Sequence, residues 1–289
     1  CTYCFNHQWA VLYGRKRNYP RFRKAELCIQ EIEEVVERHS SDVGYVYIGD
    51  DIFGLDDAWR KEFCEKYKER ILRKYNIRFM ILLRVEMCQD IRFLKMLKDS
   101  GCFRLFFGVE SGDEEQRKVA LDRKMSDKTI IKAFDLARKA GLETLAVNII
   151  GFPDESEEMI KKTIELNRRL RPTASGINIF YPYKGTILGD KCFKENRVDI
   201  DAFEECSNER RESVLRFPKE HLDMIMHYYK NWNRFVFPIW TRTGLYSRFV
   251  KLVIRLGLLD VAIKMKCHVH RLLGIRSRFP AWVRPGRAA

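Results

Sequence analysis

The chain has 289 residues, 33% charged and 46% hydrophobic, with a mean hydropathy of −0.36. That is too apolar for a disordered polyampholyte and too charged for a protein that crosses a membrane repeatedly. The length allows one large domain with an appendage or two smaller domains. Fifty-four Lys and Arg against 40 Asp and Glu give +14, but residues 241–289 hold eleven basic residues against Asp260 alone, so +10 lies there. A nucleic-acid enzyme more often places such charge around its cleft, so no nucleic-acid partner is expected, and a basic tail suggests a surface, partner or membrane role. Nine cysteines, an odd number spread through a long chain, argue against structural disulfides and for a reducing, cytoplasmic setting. The first residue is Cys1 and no signal peptide is recognisable, so the sequence reads as a piece cut at its amino end.

In chain order, residues 23–39 place Ala25, Cys28, Ile29, Ile32, Val35 and Val36 at helical spacing. A strand is expected at 45–48, stopped by Gly49-Asp50-Asp51, then a helix at 56–74. The alternation repeats as strand 78–85, helix 90–99, strand 103–109, helix 127–140, strand 143–150, helix 156–169 and strand 175–181. Near-continuous apolar strands separated by helices predict an α/β fold with a parallel sheet covered by helices, either a barrel or a doubly wound sheet. Right-handed crossovers then put the C-terminal end of every strand on one rim. The residues expected there are Gly49 to Asp51, Glu86, Glu110, Ser111, Gly151 to Glu155 and Pro182 to Thr186. After residue 190 the alternation stops; 198–217 is polar without a clear period, and 219–238 is helical and rich in aromatics.

Cys1-Thr2-Tyr3-Cys4 is a C-x-x-C turn, which suits a metal, a cluster or thiol redox chemistry and is weak evidence alone. No second C-x-x-C is present, and Cys267, His268 and His270 lie far away, so a four-ligand zinc site lacks partners. Cys28 and Cys64 are expected on core faces of helices, and Cys88 and Cys102 beside strand ends, with Cys88 close to the rim. His7 reads as a loop histidine, and His221 and His227 do not share a helical face.

Five segments in order carry a resemblance. CTYCFN resembles the end of the C-x3-C-x2-C signature of the radical S-adenosylmethionine superfamily, with Tyr3 as the aromatic before the last cysteine. YIGDD resembles the family segment that meets the methionine amino group, with Gly49-Asp50-Asp51 in place of Gly-Gly-Glu. FFGVESGDEE with LDRKMS, IIGFPDESEEMIKKTIE and IFYPYKGTIL are similar to three motifs of a subgroup, with Asp154 where Gly is usual and Lys184 where Pro is usual. That subgroup is the cobalamin-binding type, related to anaerobic magnesium-protoporphyrin ester cyclase and to cobalamin-dependent methyltransferases.

The resemblance implies a radical domain over residues 1–190 and a basic, mainly helical region over 191–289. The fold it implies is a partial six-stranded (β/α) barrel of TIM type whose first strand precedes Cys1. In the family three cysteines ligate a 4Fe-4S cluster, whose open iron takes S-adenosylmethionine; Cys1 and Cys4 match two of them, and the first is expected four positions before Cys1. A chain starting at Cys1 is therefore expected to hold a cluster poorly, and a cobalamin domain is expected upstream if the whole protein has one. One electron then cleaves the sulfonium, and the 5'-deoxyadenosyl radical takes hydrogen from an unidentified substrate, for methyl transfer or oxidative cyclisation. Asp50 or Asp51 is expected to bind the methionine ammonium, Glu110 and Ser111 the ribose hydroxyls or the amino group, and Arg123 the carboxylate. Gly151 and Pro153 are expected to let backbone approach the adenine, Tyr3 to pack near it, and Tyr181 and Pro182 to close the far side. The expected partners are S-adenosylmethionine, the substrate and an electron donor protein. Two other readings stand beside this one, a zinc hydrolase on a barrel and a degenerate barrel that binds a partner or membrane surface. Residues 247–275 are cationic and amphipathic but interrupted by charge too often to span a bilayer; they suit peripheral membrane contact or a helix packed on protein.

Overall fold

The computed structural model describes residues 1–13, 22–39, 41–207, 209–237 and 252. Cys1–Val236 forms one compact unit, and residues 237–289 are assigned to a second unit of which only Phe237 and Leu252 are described. The basic region at 244–274 thus lies outside the described residues except for Leu252, and no described helix is long and apolar enough to cross a membrane.

Five strands, β1 (Tyr45–Ile48), β2 (Arg78–Leu82), β3 (Cys102–Glu110), β4 (Glu143–Ile150) and β5 (Ala174–Ile179), form one parallel sheet in sequence order. A parallel neighbour needs a crossover, and the chain supplies a helix each time: α3 (Asp57–Tyr67, running on through a π turn to Tyr75), α4 (Ile91–Asp99), α5 (Asp127–Lys139) and α6 (Glu157–Leu170). The sheet is a half-barrel, as the fold class expected. Helix α1 (Asn6–Leu12), which the sequence did not suggest, and α2 (Ala25–His39) precede β1.

Each crossover helix starts where a short polar side chain can accept a backbone N–H. Asp56 accepts from Trp59, Asp90 from Arg92, Ser126 from Thr129 and Ser156 from Met159. Burial alternates along β4: Thr144, Ala146, Asn148 and Ile150 are buried, while Leu145, Val147 and Ile149 are only partly covered. The buried set faces the helices. Of the two arrangements the sequence left open, the half-barrel leaves its inner face uncovered, where a doubly wound sheet would carry helices on both faces. Strand β2 also ends three residues earlier than expected. Leu83 still donates to the Phe106 carbonyl, but Val85–Met87 turn into a 3-10 helix.

Residues 187–217 contain α7 (Ile187–Lys194) and α8 (Ile200–Glu205), capped by Thr186 and Asp199, and an antiparallel bridge from Val198 to Leu215. They build a second apolar cluster of Leu121, Phe152, Phe180, Tyr181, Leu188 and Leu215, among others, at the ends of β4 and β5. Helix α9 (Lys219–Val236) then covers β5 beside α6. A buried polar knot fixes it: Trp232 Nε1 donates to Ser175 Oγ at 2.8 Å, Ser175 Oγ to Asn167 Oδ1 at 3.0 Å, and Asn167 Nδ2 to Asn148 Oδ1 at 2.8 Å. Buried polar groups cost free energy unless paired, so this chain of bonds selects one seating for α9. Trp232→Phe leaves a small void and removes the N–H that α9 gives to Ser175. Urea denaturation is expected to show a loss of about 1–3 kcal/mol.

Candidate functional site

The amino-terminal turn is held at the rim by three bonds. Thr2 Oγ1 donates to the Ala120 carbonyl at 2.6 Å, Thr2 N–H to the Leu121 carbonyl at 3.2 Å, and the Thr2 carbonyl accepts from Leu188 N–H at 2.8 Å. Residues 1–4 therefore sit between the segment after β3 and the start of α7. Tyr3 meets Phe152 edge-on, with centroids 6.0 Å apart, and Phe5 lies 4.9 Å from Tyr183. Cys1 is exposed and Cys4 half-buried, both as free thiols.

Arg123 joins this turn to the end of β3. Its Nη2 donates to the Gly108 carbonyl at 2.7 Å, and its Nη1 lies 3.6 Å from Cys1 Sγ and 3.8 Å from Glu110 Oε1. Glu110 is 8% exposed, and burial pushes its carboxyl above the usual range. Arg123, a hydrogen bond with Tyr3 and the charge of Arg210 act in the opposite direction. The Tyr3 phenol is itself pushed well up, by burial first and the Glu110 charge second. Glu110 has φ of 68°, in the left-handed region, and the β3–β4 register shifts between Gly108 and Glu110. A Cβ on Gly108 would stand 2.4 Å from Glu110 Oε1, so a side chain there would displace the carboxylate from this position.

The next residues lock this conformation. Ser111 is fully buried; its hydroxyl accepts from Asp113 N–H at 3.1 Å and its carbonyl from Arg117 Nη1 at 2.7 Å. Arg117 is buried too and pairs with Asp127 at the start of α5. Gly112 N–H donates to Thr163 Oγ1 at 2.8 Å, and a Cβ on Gly112 would fall 2.3 Å from α6 backbone. The loop after β3 is thereby tied to two helices.

After β4, Gly151 takes φ of 78° and donates its N–H to Glu155 Oε2 at 2.5 Å. Glu155 is 1% exposed, and burial pushes its carboxyl up to about 8. Gln116 faces it, yet neither residue's Oε1 has a hydrogen-bond partner. Pro153 is half-buried, and Asp154 has φ of 63° and an ion pair with Arg197 at 2.6 Å. That φ gives a physical reason for glycine at this point of the motif; Asp, which visits left-handed backbone more readily than most, stands in for it. Beyond β5, Tyr181 stacks on Phe203 at 5.3 Å, Pro182 is buried, and Lys184 lies over the rings of Phe193 and Phe203 at 5.1 and 5.2 Å.

Cys1, Tyr3, Glu110 and Arg123 thus share one cluster, with Gly151 reached through Phe152. Gly49, Asp50 and Asp51 stand exposed at the end of β1, and neither aspartate has an ion-pair partner among the described residues. Cys88 is in the core, where burial raises its thiol far above the usual value, so it does not face the rim. The sequence reading placed Glu155 at the rim without giving it a role, and did not single out Gly108, Gly112, Arg117 or Arg210. Glu155 and the two glycines stand inside quoted motifs and were open to such a reading, whereas no pattern marked Arg210.

The two amino-terminal thiols fit an iron-sulfur cluster in donor type and position: soft ligands on one turn, at the same rim as Glu110 and Gly151. They make two of the three ligands such a cluster takes in the resembled family, and no third Cys, His, Asp or Glu joins them in a group among the described residues.

Comparison with known proteins agrees with this geometry. The family model described as the radical SAM superfamily matches residues 1–166. The anaerobic magnesium-protoporphyrin IX monomethyl ester cyclase of Rubrivivax gelatinosus is 26% identical over 210 residues, covering 71% of this chain and 34% of that protein. An uncharacterized methyltransferase of Pyrococcus horikoshii is 32% identical over 102 residues, covering 35% of this chain and 22% of that protein. The chain therefore spans about a third or less of the length of these two relatives. Among solved structures, the radical S-adenosylmethionine methyltransferase TsrM of Kitasatospora setae, with cobalamin and a 4Fe-4S cluster bound, superposes with a TM-score of 0.51 at 17% identity, covering 60% of this chain and 32% of that one. Elp3 of Methanocaldococcus infernus gives 0.51 at 20% identity over 76% of this chain and 52% of that one. At these identities the structures speak for the fold alone.

The Gly151–Glu155 loop yields two expected outcomes. Asp154→Ala is expected to unfold at lower denaturant than Asp154→Gly, by about 1 kcal/mol, because both lose the Arg197 pair but only glycine adopts this φ freely. Glu155 stays protonated in the fold up to about pH 8, whereas in the unfolded chain it ionises near 4.5. Between those values the folded state binds more protons, so stability is greatest below about 4.5 and falls as pH rises through 8. Denaturation at pH 5 and pH 8 should show this decline, on the order of a few kcal/mol, and Glu155→Gln should flatten it.

Proposed function

The chain belongs to the radical SAM superfamily, and on that premise we propose that the protein cleaves S-adenosylmethionine reductively and uses the product radical for methyl transfer or oxidative cyclisation of a substrate not yet identified. The observation that carries the reading is the line from Cys1 Sγ to Arg123 at 3.6 Å and on to Glu110 at 3.8 Å. It joins the thiols to the carboxylate end of the sheet, where a parallel α/β fold binds its ligands. Cys1 and Cys4 would hold a 4Fe-4S cluster, which supplies the electron for sulfonium cleavage when bound. A cobalamin cofactor held by an upstream domain belongs to the same reading, by analogy with the resembled subgroup.

The remaining work falls to groups of this chain. Asp50 and Asp51, without an ion-pair partner among the described residues, are carboxylates suited to an ammonium group. Glu110, kept in place by Tyr3 and Arg123, offers a desolvated acceptor to ribose hydroxyls, and the Ser111 hydroxyl, which already accepts from Asp113, keeps its proton to donate. Arg123 turns one Nη toward the turn that carries Cys1 and can meet a carboxylate there. Gly151 lets main chain close on the adenine without a side chain intervening, Pro153 stiffens that loop, and Tyr181 and Pro182 wall the far end and exclude water.

Full-length protein, loaded anaerobically with iron and sulfide and reduced, should release 5'-deoxyadenosine and methionine. Cys1→Ala and Cys4→Ala should lower bound iron and abolish release. Glu110→Gln should raise the KM for S-adenosylmethionine about tenfold or more, as expected for the loss of a charged acceptor. Zinc without iron and sulfide in the purified protein, or a loaded cluster with no cleavage, would refute the reading.

A further inference from the structure

The segment that anchors the amino-terminal turn is a π turn, Gln116–Ala120, lying between the loop after β3 and Arg123. Leu121 N–H donates to the Gln116 carbonyl at 3.1 Å, five residues back, and Arg123 N–H to the Arg117 carbonyl at 2.7 Å. Such turns are rare and recur at functional sites. This one ends at once, so its last carbonyls have no helical partner. Two of them, on Ala120 and Leu121, take the Thr2 hydroxyl at 2.6 Å and the Thr2 N–H at 3.2 Å. On the other side the Thr2 carbonyl accepts from Leu188, whose N–H lies in the first turn of α7 and also lacks a helical acceptor, at 2.8 Å. Thr186, the cap of that helix, serves Gly189 instead. Thr2 thus engages all three of its polar groups on two helix ends, and it stands in the sequence between the two thiols of the turn.

We propose that Thr2 is a positioning residue for the iron-sulfur cluster: its hydroxyl, bonded to the π turn, holds the turn carrying Cys1 and Cys4 in the one conformation that presents both thiols together. The inference rests on the function proposed above for the presence of a cluster, whereas the clamp is a property of this chain. Any residue at position 2 could make the two main-chain bonds, and two bonds leave the turn free to rock about the line that joins them. A third contact off that line, to Ala120, stops the rotation, and it needs a side-chain donor. Threonine suits the task because its branched Cβ restricts χ1 and so presets the hydroxyl. Retention of a chelated metal depends on a released ligand staying close enough to rebind, an advantage that a rocking turn loses. The same short segment also sets Arg123, two residues beyond Leu121, whose Nη1 lies 3.6 Å from Cys1 Sγ. One π turn therefore fixes both the thiol turn and the cation beside it.

Thr2→Val is the informative variant, because valine keeps the branched shape and deletes only the donor; Thr2→Ser keeps the donor. Two rates are read on full-length protein: loss of iron from the loaded cluster to a ferrous chelator without oxygen, and alkylation of the half-buried Cys4 by iodoacetamide in iron-free protein, followed by peptide mass. Thr2→Val should speed both about fivefold, as expected for the loss of one hydrogen bond. The urea midpoint should stay at the parent's value, because the carbonyl of exposed Ala120 passes to water. Thr2→Ser should return both rates to within about twofold of the parent. Equality of either rate in Thr2→Val with the parent's, a Thr2→Ser variant as fast as Thr2→Val, or a fall in the urea midpoint that alone accounts for the faster rates overturns the proposal. Failure of the parent to hold iron and sulfide strikes instead at the proposed function, and the alkylation of Cys4 in iron-free protein still reads the clamp on its own.

Discussion

The candidate site depends on the Arg123 guanidinium, which links the sulfur of Cys1 to the end of β3 through the Gly108 carbonyl and the Glu110 carboxylate. Alone, Glu110 would be a buried acid in a strained backbone conformation, and it would escape its desolvation cost by taking up a proton. With Arg123 on one side and Tyr3 on another, the charge has partners and the side chain has one place to go. The cation also needs them, since its Nε is buried without an acceptor. Cluster turn and strand end therefore hold each other, and neither geometry is stable by its own local preferences.

Positive φ recurs around the mouth, as strain at the non-glycine residues. Glu110, Gly151, Asp154 and Arg210 all adopt positive φ at or beside the ends of β3, β4 and β5. Left-handed residues persist only where surrounding contacts over-determine them. Here those contacts are buried and polar: Arg117 on the Ser111 carbonyl, Thr163 on the Gly112 N–H, Glu155 on the Gly151 N–H. The Asn148, Asn167, Ser175 and Trp232 knot does similar work behind the sheet, fixing the helices against which the loops brace. A rim built this way is stiff before any ligand arrives, so less of the binding free energy is spent on ordering it.

Strand positions were legible because a parallel sheet writes itself as apolar runs between amphipathic helices. The strand ends were legible with them, since right-handed crossovers leave no choice of rim. Thus Glu110 and Gly151 could be placed at one end of the sheet from sequence. What the sequence hid was of two kinds. Some contacts join residues far apart in the chain with no periodic signal, such as Arg123 with Cys1, 122 positions away. Others depend on backbone conformation, such as the reach of Glu110 into the space that Gly108 leaves open. Cys88, expected beside a strand end and close to the rim, is fully buried, because β2 ends early and the 3-10 turn leads the chain into the core.

The two positions that depart from the resembled motifs show how the region after residue 190 takes part in the site. Asp154 occupies a left-handed position and is held by Arg197, just beyond α7. Lys184 lies between Phe193 of α7 and Phe203 of α8, where aromatic faces accept a cation. In both places the unusual side chain is matched by a residue from the stretch 190–217, where the strand–helix alternation of the sequence has stopped. The same stretch contributes Val198, Val214 and Leu215 to the apolar cluster that seats Tyr3, and Arg210 to the mouth. The segment that looked least structured from composition therefore supports the loops after β4 and β5. A relative sharing the strand-end motifs but not this stretch would need another partner for each departure, so the chemistry at the mouth is set jointly by the sheet and by residues 190–217.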